Sequence, residues 1–384
     1  MYDIIIIGSG VGGSTIFKEL NNKYPNKKII LLEKGKVPQY IVEGNTVKIL
    51  YLNSLGGSAV YSVGNGIKID LKHIGVNNSI YYEIEKELNI TPVPMEFINE
   101  TTKKLFDYGF KQTPKFIDFN KCNSCGNCAS KLCCGKWTPL DFLKYKNENS
   151  RILCNFKVSN IKKENGFFYI EGFDKNNNKK IIEGKIVIVS AGGINSPRIL
   201  SSILDNEHLG KNLFIDTFIT VGGILDGVNL NKSIPMSVYK KYDGFLLSPH
   251  YSMLLYDEIK KENRGIRNND IFSLMIKIRD ENKGVVGKDY VYKNITEKDE
   301  ALLSKGFKEA LNILSDMGIN KAYKTIPRGS HPSGTCAIGK VINKDFETEI
   351  DNLFVCDASV FPEPLGLPPI LGIIAIGKKL ANLL

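Results

Sequence analysis

The chain begins Met1-Tyr2-Asp3 and continues Ile4-Ile5-Ile6-Ile7-Gly8-Ser9-Gly10-Val11-Gly12-Gly13. Four consecutive isoleucines predict a short parallel strand that is buried on both faces. The glycines predict a tight turn into a helix over residues 14–20, and residues 28–32 predict a second strand that ends at Glu33. This order, with an acidic residue about 20 positions after the last glycine, is typical of a dinucleotide-binding unit.

Each residue of this unit has a predicted role. Gly8 permits the turn, Gly10 lets the backbone approach a pyrophosphate, and Gly13 lets the helix lie close to the strand. The N-terminus of the helix offers free N–H groups to phosphates, and Glu33 can accept hydrogen bonds from ribose hydroxyls. We therefore predict that Gly8, Gly10, Gly12, Gly13 and Glu33 bind a dinucleotide, although the motif alone does not distinguish FAD from NAD.

Three later segments carry further signals. Gly56-Gly57-Ser58 and Gly64-Asn65-Gly66 indicate either backbone close to a ligand or a tight bend. Residues 185–190 predict an apolar strand that leads into Ala191-Gly192-Gly193, followed by a helix with Ser196 as its cap and Pro197 at its first position. Residues 370–384 predict a long apolar helix.

Composition limits the class of protein. The 384 residues predict two or three domains, or one large domain with an insertion, and the composition is ordinary for a globular protein. A net charge of +10 could indicate nucleic acid, an anionic membrane or an acidic partner. The lysines are scattered and lack clustered aromatic neighbours, so we expect no nucleic-acid partner. Without a leader or a transmembrane segment, we expect a cytoplasmic protein or one that lies peripherally at the inner membrane face.

Five of the eight cysteines lie within thirteen positions: Cys122, Cys125, Cys128, Cys133 and Cys134. The C-x2-C-x2-C spacing resembles the cluster-binding run of bacterial ferredoxins, with Cys133 or Cys134 as the fourth ligand. A [4Fe–4S] cluster is therefore the first hypothesis, a zinc site with four thiolates is the second, and no metal is the third. Cys154, Cys336 and Cys356 are expected to be small buried apolar residues.

His331 is one of four histidines and lies in Arg328-Gly329-Ser330-His331-Pro332-Ser333-Gly334-Thr335. The flanking proline and glycine fix the backbone on both sides of it, which favours a functional role over a structural one. Imidazole is suited to accept a proton near neutral pH. His331 is therefore the predicted catalytic base.

Together these segments resemble the glucose-methanol-choline (GMC) family of FAD-dependent oxidoreductases. The motifs that carry the resemblance are the glycine turn with Glu33, Gly56-Gly57-Ser58 with Asn65, residues 191–197, Gly210-Lys211-Asn212-Leu213, residues 331–335 and Asp357-Ala358-Ser359-Val360-Phe361-Pro362. The cysteine run, which ends at Gly135-Lys136, resembles a cysteine-rich segment of the long-chain alcohol oxidase branch.

The resemblance implies an α/β fold, with a discontinuous Rossmann-like FAD-binding domain and an α+β substrate domain built on an antiparallel sheet. The implied divisions are residues 1–70, 151–215 and 329–384 for the FAD domain, 71–150 for a connecting segment with the cysteines, and 216–328 for the substrate domain. The implied FAD-binding residues beyond the glycine turn are Gly57, Ser58, Asn65, Val158, Ala191, Asp357, Ala358 and Pro369. His331 matches the first active-site histidine of the family.

The chain departs from the family pattern in two places near the active site. Pro368 stands where most members carry a second histidine or an asparagine, so that hydrogen bond is missing or comes from elsewhere. The segment Gly210–Leu213 is followed by Phe214-Ile215-Asp216 instead of a histidine. The chain is also short for the family, which implies a trimmed substrate domain that leaves an open site or a surface for a partner subunit.

Several functions stay open at this point. The first hypothesis is a dehydrogenase that oxidises a CH–OH group of a small-molecule substrate and passes electrons through the cluster to ferredoxin or quinone. The second is a reductase of a carbonyl or an activated double bond, fed by ferredoxin. A third is an electron-transfer subunit of a larger complex, or a non-redox lyase.

Overall fold

The computed structural model describes residues 1 to 384. The strands, in chain order, are β1 Tyr2–Ile7, β2 Ile29–Glu33, β3 Gln39–Glu43, β4 Lys48–Asn53, β5 Thr91–Pro92, β6 Lys111–Gln112, β7 Pro114–Lys115, β8 Ser150–Cys154, β9 Lys157–Glu164, β10 Phe167–Phe173, β11 Lys179–Val189, β12 Phe218–Ile224, β13 Val238–Lys241, β14 Phe245–Pro249, β15 Ile271–Ile278, β16 Val285–Val286, β17 Val291–Tyr292, β18 Tyr323–Lys324, β19 Arg328–Gly329 and β20 Leu353–Val355. The α-helices are α1 Val11–Lys23, α2 Asn78–Glu87, α3 Glu100–Lys103, α4 Pro139–Leu143, α5 Gly192–Leu200, α6 Met253–Lys260, α7 Glu297–Asp316 and α8 Ile370–Leu383.

The first sheet has seven strands in the order β8-β2-β1-β11-β10-β9, with β20 beside β11. The strands β8, β2, β1, β11 and β20 are parallel, and β9 and β10 form antiparallel pairs at one edge. Strand β2 is buried along its whole length, as expected for a parallel strand covered on both faces. Helices α1 and α8 pack against each other, and a Cβ at Gly377 would lie 2.8 Å from the methyl carbon of Thr15. That glycine therefore permits the close helix contact.

The second sheet has nine strands in the order β3-β4-β19-β12-β15-β14-β13-β6, with β18 beside β12. Its neighbours are antiparallel except for β4 and β19, which are parallel. Helix α7 packs on β12, β14 and β15, and its buried residues join the apolar core of this sheet. The mixed α/β architecture with a second, largely antiparallel sheet agrees with the predicted fold class.

Most predicted elements are present with shifted ends. The helix expected over residues 14–20 begins at Val11, and the closing helix ends at Leu383. Residues 39–53, counted in the sequence analysis with the nucleotide-binding part, supply β3 and β4 to the second sheet. The domain boundaries drawn from the sequence stay predictions.

The helix after β11 differs from its prediction. Helix α5 begins at Gly192, so Ser196 is not its cap and Pro197 lies inside it. A proline cannot donate to the carbonyl four residues earlier, which is that of Gly193. The Thr335 hydroxyl donates to this carbonyl over 2.7 Å, so the missing backbone bond is replaced from the C-terminal part of the chain. No helix in the structure combines the length and the apolar character needed to cross a membrane.

Candidate active site

A cavity of about 760 Å³ lies along the carboxyl ends of β1, β2 and β11 and reaches the second sheet. This volume is in the range of ligand pockets in proteins. All but two of the predicted catalytic and cofactor-binding residues line it: Gly8, Gly10, Gly12, Glu33, Gly57, Ser58, Val158, Ala191, His331, Asp357, Ala358 and Pro369. Residues that are far apart in the chain therefore meet in one cavity.

The two exceptions, Gly13 and Asn65, lie outside the cavity wall. A Cβ at Gly13 would lie 1.9 Å from the Gly8 carbonyl oxygen, so this glycine allows α1 to approach the end of β1. The Asn65 side chain accepts a hydrogen bond from Lys115 Nζ over 2.6 Å and lies 3.3 Å from Met236 Sδ. The geometry gives both residues packing partners within the protein.

The glycines of the β1–α1 turn divide into two groups. Gly8 has a φ of +102°, and a Cβ at Gly12 would lie 1.8 Å from the carbonyl oxygen of Cys356. These two positions require glycine for the protein's own backbone. A Cβ at Gly10, in contrast, would meet no protein atom within 4 Å. The space over Gly10 is therefore open to a ligand at the N-terminus of α1, where free N–H groups favour phosphate.

Glu33 ends β2 and is held by the same turn. Its Oε2 accepts hydrogen bonds from the Ser9 N–H and hydroxyl over 3.0 and 2.5 Å, and its Oε1 accepts one from the Gly35 N–H. Burial raises the pKa of Glu33, and these donors oppose the rise. The Ser9 hydroxyl also accepts a hydrogen bond from the Gly56 N–H, which connects the second glycine segment to the turn. The glycine cluster at 56–57 therefore belongs to the cavity wall and not to a remote loop.

Asp357 joins the C-terminal part of the chain to the turn between β11 and α5. Its Oδ2 accepts from the Gly192 N–H over 2.8 Å and from the Ser196 hydroxyl over 2.5 Å, while its Oδ1 accepts from the Ser359 N–H. Gly192 has a φ of +84° and open space where a Cβ would stand. This is a second place where backbone faces the cavity without protein contacts.

The geometry fits FAD. An extended cavity joins the α1 N-terminus, the carboxylate of Glu33 and the β11–α5 turn, and Gly10 and Gly192 leave open space beside it. A dinucleotide needs these three features for its pyrophosphate, its ribose and its close approach to backbone. The residues present are thus suited to hold the cofactor.

His331 lines the cavity, and its side chain is 29% exposed. Its Nδ1 is 3.0 Å from Asp216 Oδ2 and 3.1 Å from Lys277 Nζ. Lys277 Nζ is also 2.9 Å from Asp216 Oδ2, and both of these side chains are buried. The two contacts at Nδ1 favour opposite tautomers, because the Asp216 carboxylate can only accept and the Lys277 ammonium can only donate. We assign the proton to Nδ1, since Lys277 already donates to Asp216 over 2.9 Å. His331 Nε2 then has a free lone pair and no protein hydrogen-bond partner.

The charges around His331 set its protonation. Burial and the Lys277 ammonium lower the pKa of His331, while Asp216 raises it less. Burial raises the pKa of Asp216, but the Lys277 ammonium and the hydrogen bond with His331 outweigh it and lower the pKa of that carboxyl. The arrangement is therefore a neutral imidazole beside an ion pair.

Sequence analysis did not assign a role to Asp216 or Lys277. Asp216 was noted only as a departure from the family pattern, and it adopts a φ of +52°, which is uncommon for aspartate. Lys277 is a lysine near the end of the apolar strand β15, where every residue is buried. A charged residue at such a position was the available signal, because buried charges need a partner.

The loop that carries Pro368 is tied to the same group. The Gly366 N–H donates to Asp216 Oδ1 over 3.0 Å, and Gly366 has a φ of +65°. A Cβ at Gly366 would lie 3.1 Å from Arg279. Asp216 thus connects His331 with the loop that carries Pro368.

The five cysteines predicted as metal ligands do not converge on one site. No three histidine, cysteine, aspartate or glutamate side chains come together at metal-binding geometry, so the predicted [4Fe–4S] cluster and the zinc alternative are not supported. Cys128 is buried, Cys122 and Cys133 are half-buried, and Cys125 and Cys134 are exposed. Burial raises the pKa of Cys122, with smaller rises from the other thiols of the segment. The thiols are therefore electrostatic neighbours without forming a ligand set.

The remaining cysteines fit the prediction in two cases. Cys336 and Cys356 are buried, whereas Cys154 is half-buried. All eight cysteines are free thiols.

Comparisons with known proteins agree with the geometry. The models of the GMC oxidoreductase family match residues 78–218 and 289–377. An uncharacterized protein of Methanocaldococcus jannaschii is 49% identical over 379 residues, which cover 99% of this chain and 98% of that protein. Long-chain-alcohol oxidase FAO4A of Arabidopsis thaliana is 21% identical over 266 residues, which cover 51% of this chain and 36% of that oxidase.

Two solved structures share the fold. Pyridoxine 4-oxidase from Mesorbium loti superposes with a TM-score of 0.78 at 14% identity and covers 100% of this chain and 99% of its own. Formate oxidase superposes with a TM-score of 0.73 at 12% identity, over 99% and 97% of the two chains. At these identities the likeness concerns the fold.

Proposed function

The chain belongs to the GMC oxidoreductase family, a family of flavin oxidoreductases, and on this premise we propose that it uses FAD to oxidise a CH–OH group. The observation that carries the proposal is His331, which lines the cofactor cavity with Nδ1 held by Asp216 and with Nε2 free. An alcohol cannot give up a hydride easily until its hydroxyl proton leaves, so the site needs a base at this place.

The cofactor would be held by the residues that line the cavity. The α1 N-terminus over Gly10 would face the pyrophosphate, Glu33 the adenosine ribose, and Val158 the adenine. When bound, the flavin supplies the acceptor for the hydride of the substrate carbon. The chain's own residues then have two tasks, which are to place the substrate and to take its hydroxyl proton.

His331 takes this proton at Nε2. Its pKa is lowered by burial and by Lys277, so the imidazole is neutral and ready at neutral pH. Asp216 fixes the ring and its tautomer, in the manner of the carboxylate of a catalytic triad. When Nε2 has accepted the proton, the Asp216 carboxylate offsets the new positive charge.

Lys277 is a positioning residue in this scheme. Its ammonium neutralises the buried Asp216 and limits how far that carboxylate raises the pKa of His331. This pair of charges keeps His331 a base of moderate strength, which can release its proton after each turnover.

The experiment that tests the proposal is anaerobic mixing of the FAD-loaded protein with a panel of primary and secondary alcohols. Loss of the oxidised flavin absorbance is the expected result for at least one of them. H331A should slow this loss by about 10²–10⁴-fold. H208A is the matched control, because His208 is half-exposed and pairs only with Glu207.

Two results would contradict the proposal. One is reduction at the wild-type rate in H331A. The other is a protein whose flavin no alcohol reduces, while the chemically reduced flavin is reoxidised by carbonyl or enoyl compounds. That second pattern would favour the reductase hypothesis.

Electron exit through an iron–sulfur cluster to ferredoxin or quinone is a separate hypothesis, which comes from the cysteine spacing. One observation supports testing it. Lys115 and Lys136 are buried beside the cysteine segment without a carboxylate partner. Burial lowers their pKa to about 7 and about 8, and the opposing acidic groups are the thiols of Cys128 and Cys133. Iron and sulfide analysis after anaerobic purification decides the question, since zinc or no metal would exclude the cluster.

A further inference from the structure

Arg328 is a buried cation that the scheme above does not use. Its residue is 6% exposed, and no aspartate or glutamate lies within ion-pair distance of it. Its Nη1 donates to the Thr325 hydroxyl over 2.7 Å, and its Nη2 donates to the hydroxyls of Thr220 and Ser252 over 3.3 and 3.2 Å. The Nε–H has no partner. Buried guanidinium groups ordinarily pair with an anion, so this one lacks its usual counter-charge.

Two other buried cations in this part of the chain have a carboxylate beside them. Lys277 contacts Asp216 at 2.9 Å, and Lys293 contacts Asp280 at 2.8 Å. Arg328 has only neutral partners. They are three hydroxyls, the Ile326 carbonyl at 3.5 Å from Nη1, and the ring of Phe218, whose centre lies 4.5 Å from the guanidinium carbon.

Strand register places Arg328 on the face of the sheet that carries Lys277, the neighbour of His331. Arg328 lies opposite Phe218, and Phe218 lies opposite Lys277, so the three side chains form one row on one face. On its other side, Arg328 lies opposite Lys48 of β4. Arg328 itself is not part of the cavity wall, but Leu50, Tyr51 and Leu52 of the adjacent strand β4 are. The row that ends in Arg328 therefore begins beside His331.

The charge of Arg328 also acts on its neighbours. It lowers the pKa of His250, which burial already lowers, to about 4. It opposes the rise that burial produces in the pKa of Tyr40, a residue of the cavity wall. Burial lowers the pKa of Arg328 itself to about 10, which still leaves the guanidinium protonated at neutral pH. The face beside the catalytic base thus carries one uncompensated positive charge.

We propose that Arg328 binds a carboxylate of the substrate, which makes the substrate class a hydroxy acid. The Nε–H is free to donate to one carboxylate oxygen, and Nη2 on the same edge can donate to the other oxygen if it gives up one of its two hydroxyl contacts. The released hydroxyl of Thr220 or Ser252 can then turn to donate to the same carboxylate. The hydroxyl-bearing carbon would then lie toward His331. This inference rests on the proposed function, because it names the substrate of the same site.

The test compares matched substrates and a binding probe in the FAD-loaded protein. Lactate and 3-hydroxybutyrate are compared with propane-1,2-diol and butane-1,3-diol, in which a hydroxymethyl group replaces the carboxylate. At least one hydroxy acid should reduce the flavin with a second-order rate constant about 100-fold above that of its diol. R328M should lower the rate with the hydroxy acid far more than the rate with its diol, so that the preference is lost. R328K keeps a charge without the fork and should restore part of the preference.

Binding is measured without turnover by titrating acetate and acetamide against the flavin absorbance spectrum. Acetate should perturb the spectrum, acetamide should not, and H331A should keep the acetate effect while R328M loses it. If no alcohol reduces the flavin but acetate binding depends on Arg328, the proposed oxidation fails and the anion site stands. Three results would each overturn the inference. They are equal rates for acids and diols, no effect of acetate on the wild-type spectrum, and an equal loss of rate with acids and diols in R328M.

Should R328M fail to bind FAD, the comparison of acetate with acetamide in the wild type still decides the outcome. A preference for phosphorylated alcohols over hydroxy acids would also contradict the carboxylate assignment.

Discussion

His331 is held by two side chains that move its pKa in opposite directions. Lys277 lowers the pKa of His331 and Asp216 raises it, and burial lowers it further. Since the base works as neutral imidazole, the rate of flavin reduction should fall as the pH drops through this pKa. The two neighbours therefore control the acid limb of the pH profile with opposite signs.

Substitution of each neighbour gives a paired prediction. D216N removes the anion that raises the pKa of His331, so the acid limb should move to lower pH by about one unit. K277M removes the cation that lowers it, so the limb should move to higher pH by a similar amount. The measurement is the rate of flavin reduction by one alcohol between pH 5 and 9 for the wild type and both variants.

The plateau rates give a second readout. D216N should also lower the rate of flavin reduction that is reached at high pH, because the imidazole ring of His331 loses the partner that fixes its tautomer. H208A serves again as the control, and its pH profile should match that of the wild type. Shifts of the same sign in D216N and K277M would be inconsistent with His331 as the titrating base.

At this scale the sequence identified the base but not its partners. The Pro332 and Gly334 that flank His331 made it a candidate. Asp216 and Lys277 come from a loop and a strand that lie 115 and 54 residues away in sequence, and only the register of the second sheet brings them to Nδ1. Neither residue belongs to a spacing motif, so pairwise contact of this kind is not readable from one sequence.

At the scale of elements, the β1–α1 turn contains glycines with different purposes. A Cβ at Gly12 would lie 1.8 Å from the Cys356 carbonyl oxygen, while one at Gly10 would meet no protein atom within 4 Å. The first glycine serves the contact between α1 and the end of β20. The second leaves room for a ligand.

The two substitutions should therefore separate. G12A should destabilise the FAD-free protein by about 1–3 kcal/mol, because the backbone at Cys356 must move. G10A should leave the stability of the FAD-free protein within about 0.5 kcal/mol of the wild type and weaken FAD binding by at least about tenfold. Urea unfolding without FAD and a fluorescence titration with FAD provide the two measurements.

Equal loss of stability in G10A and G12A would contradict this division of roles. Unchanged FAD affinity in G10A would show that the cofactor does not approach the turn there.

Elements were predictable where a local pattern determined them. The isoleucine run, the apolar strand predicted at 185–190 and the closing helix all have the expected type, with shifted ends. The start of α5 was predicted wrongly. The prediction placed Pro197 at the first helical position, but the Thr335 hydroxyl donates to the Gly193 carbonyl and so allows the proline to lie inside the helix. The cysteine spacing predicted a ligand set, yet the structure leaves two of its five thiols exposed and gathers no three of them.

At the scale of the whole molecule, the cavity joins parts of the chain that are distant in sequence. Its wall includes residues 7–12, 156–159, 190–195, 198–199 and 357–358, and the residues 330–332 around the base. Asp357 and Ser196, which are 161 positions apart, meet at 2.5 Å behind this wall. FAD should therefore stabilise the fold as a unit, because it would contact all of these segments at once.

This expectation has a numerical form. Free FAD at 100 times its dissociation constant should raise the free energy of unfolding by about 2.7 kcal/mol. Thermal unfolding at several FAD concentrations checks it. In G10A the unfolding temperature should rise with FAD in the same way, but at higher FAD concentrations. An unfolding temperature that does not depend on FAD would contradict the proposed cofactor site.

The order of motifs along the chain predicted the global arrangement, since each glycine turn follows an apolar strand and the sheet brings their ends together. The register of the second sheet was not predictable, because its strands are short and their partners are distant in sequence. The placement of Arg328 beside Phe218 and Lys277 depends on that register alone.

The central claim is that His331 takes the hydroxyl proton while the neighbouring C–H bond gives its hydride to the flavin. The most direct measurement is the anaerobic, single-turnover rate of flavin reduction, using an alcohol with and without deuterium on its carbinol carbon, in the wild type and in H331A. The account predicts a primary isotope effect in the wild type and a rate lower by about 10²–10⁴-fold in H331A. Reduction at an unchanged rate in H331A, or without any isotope effect in either protein, would contradict it.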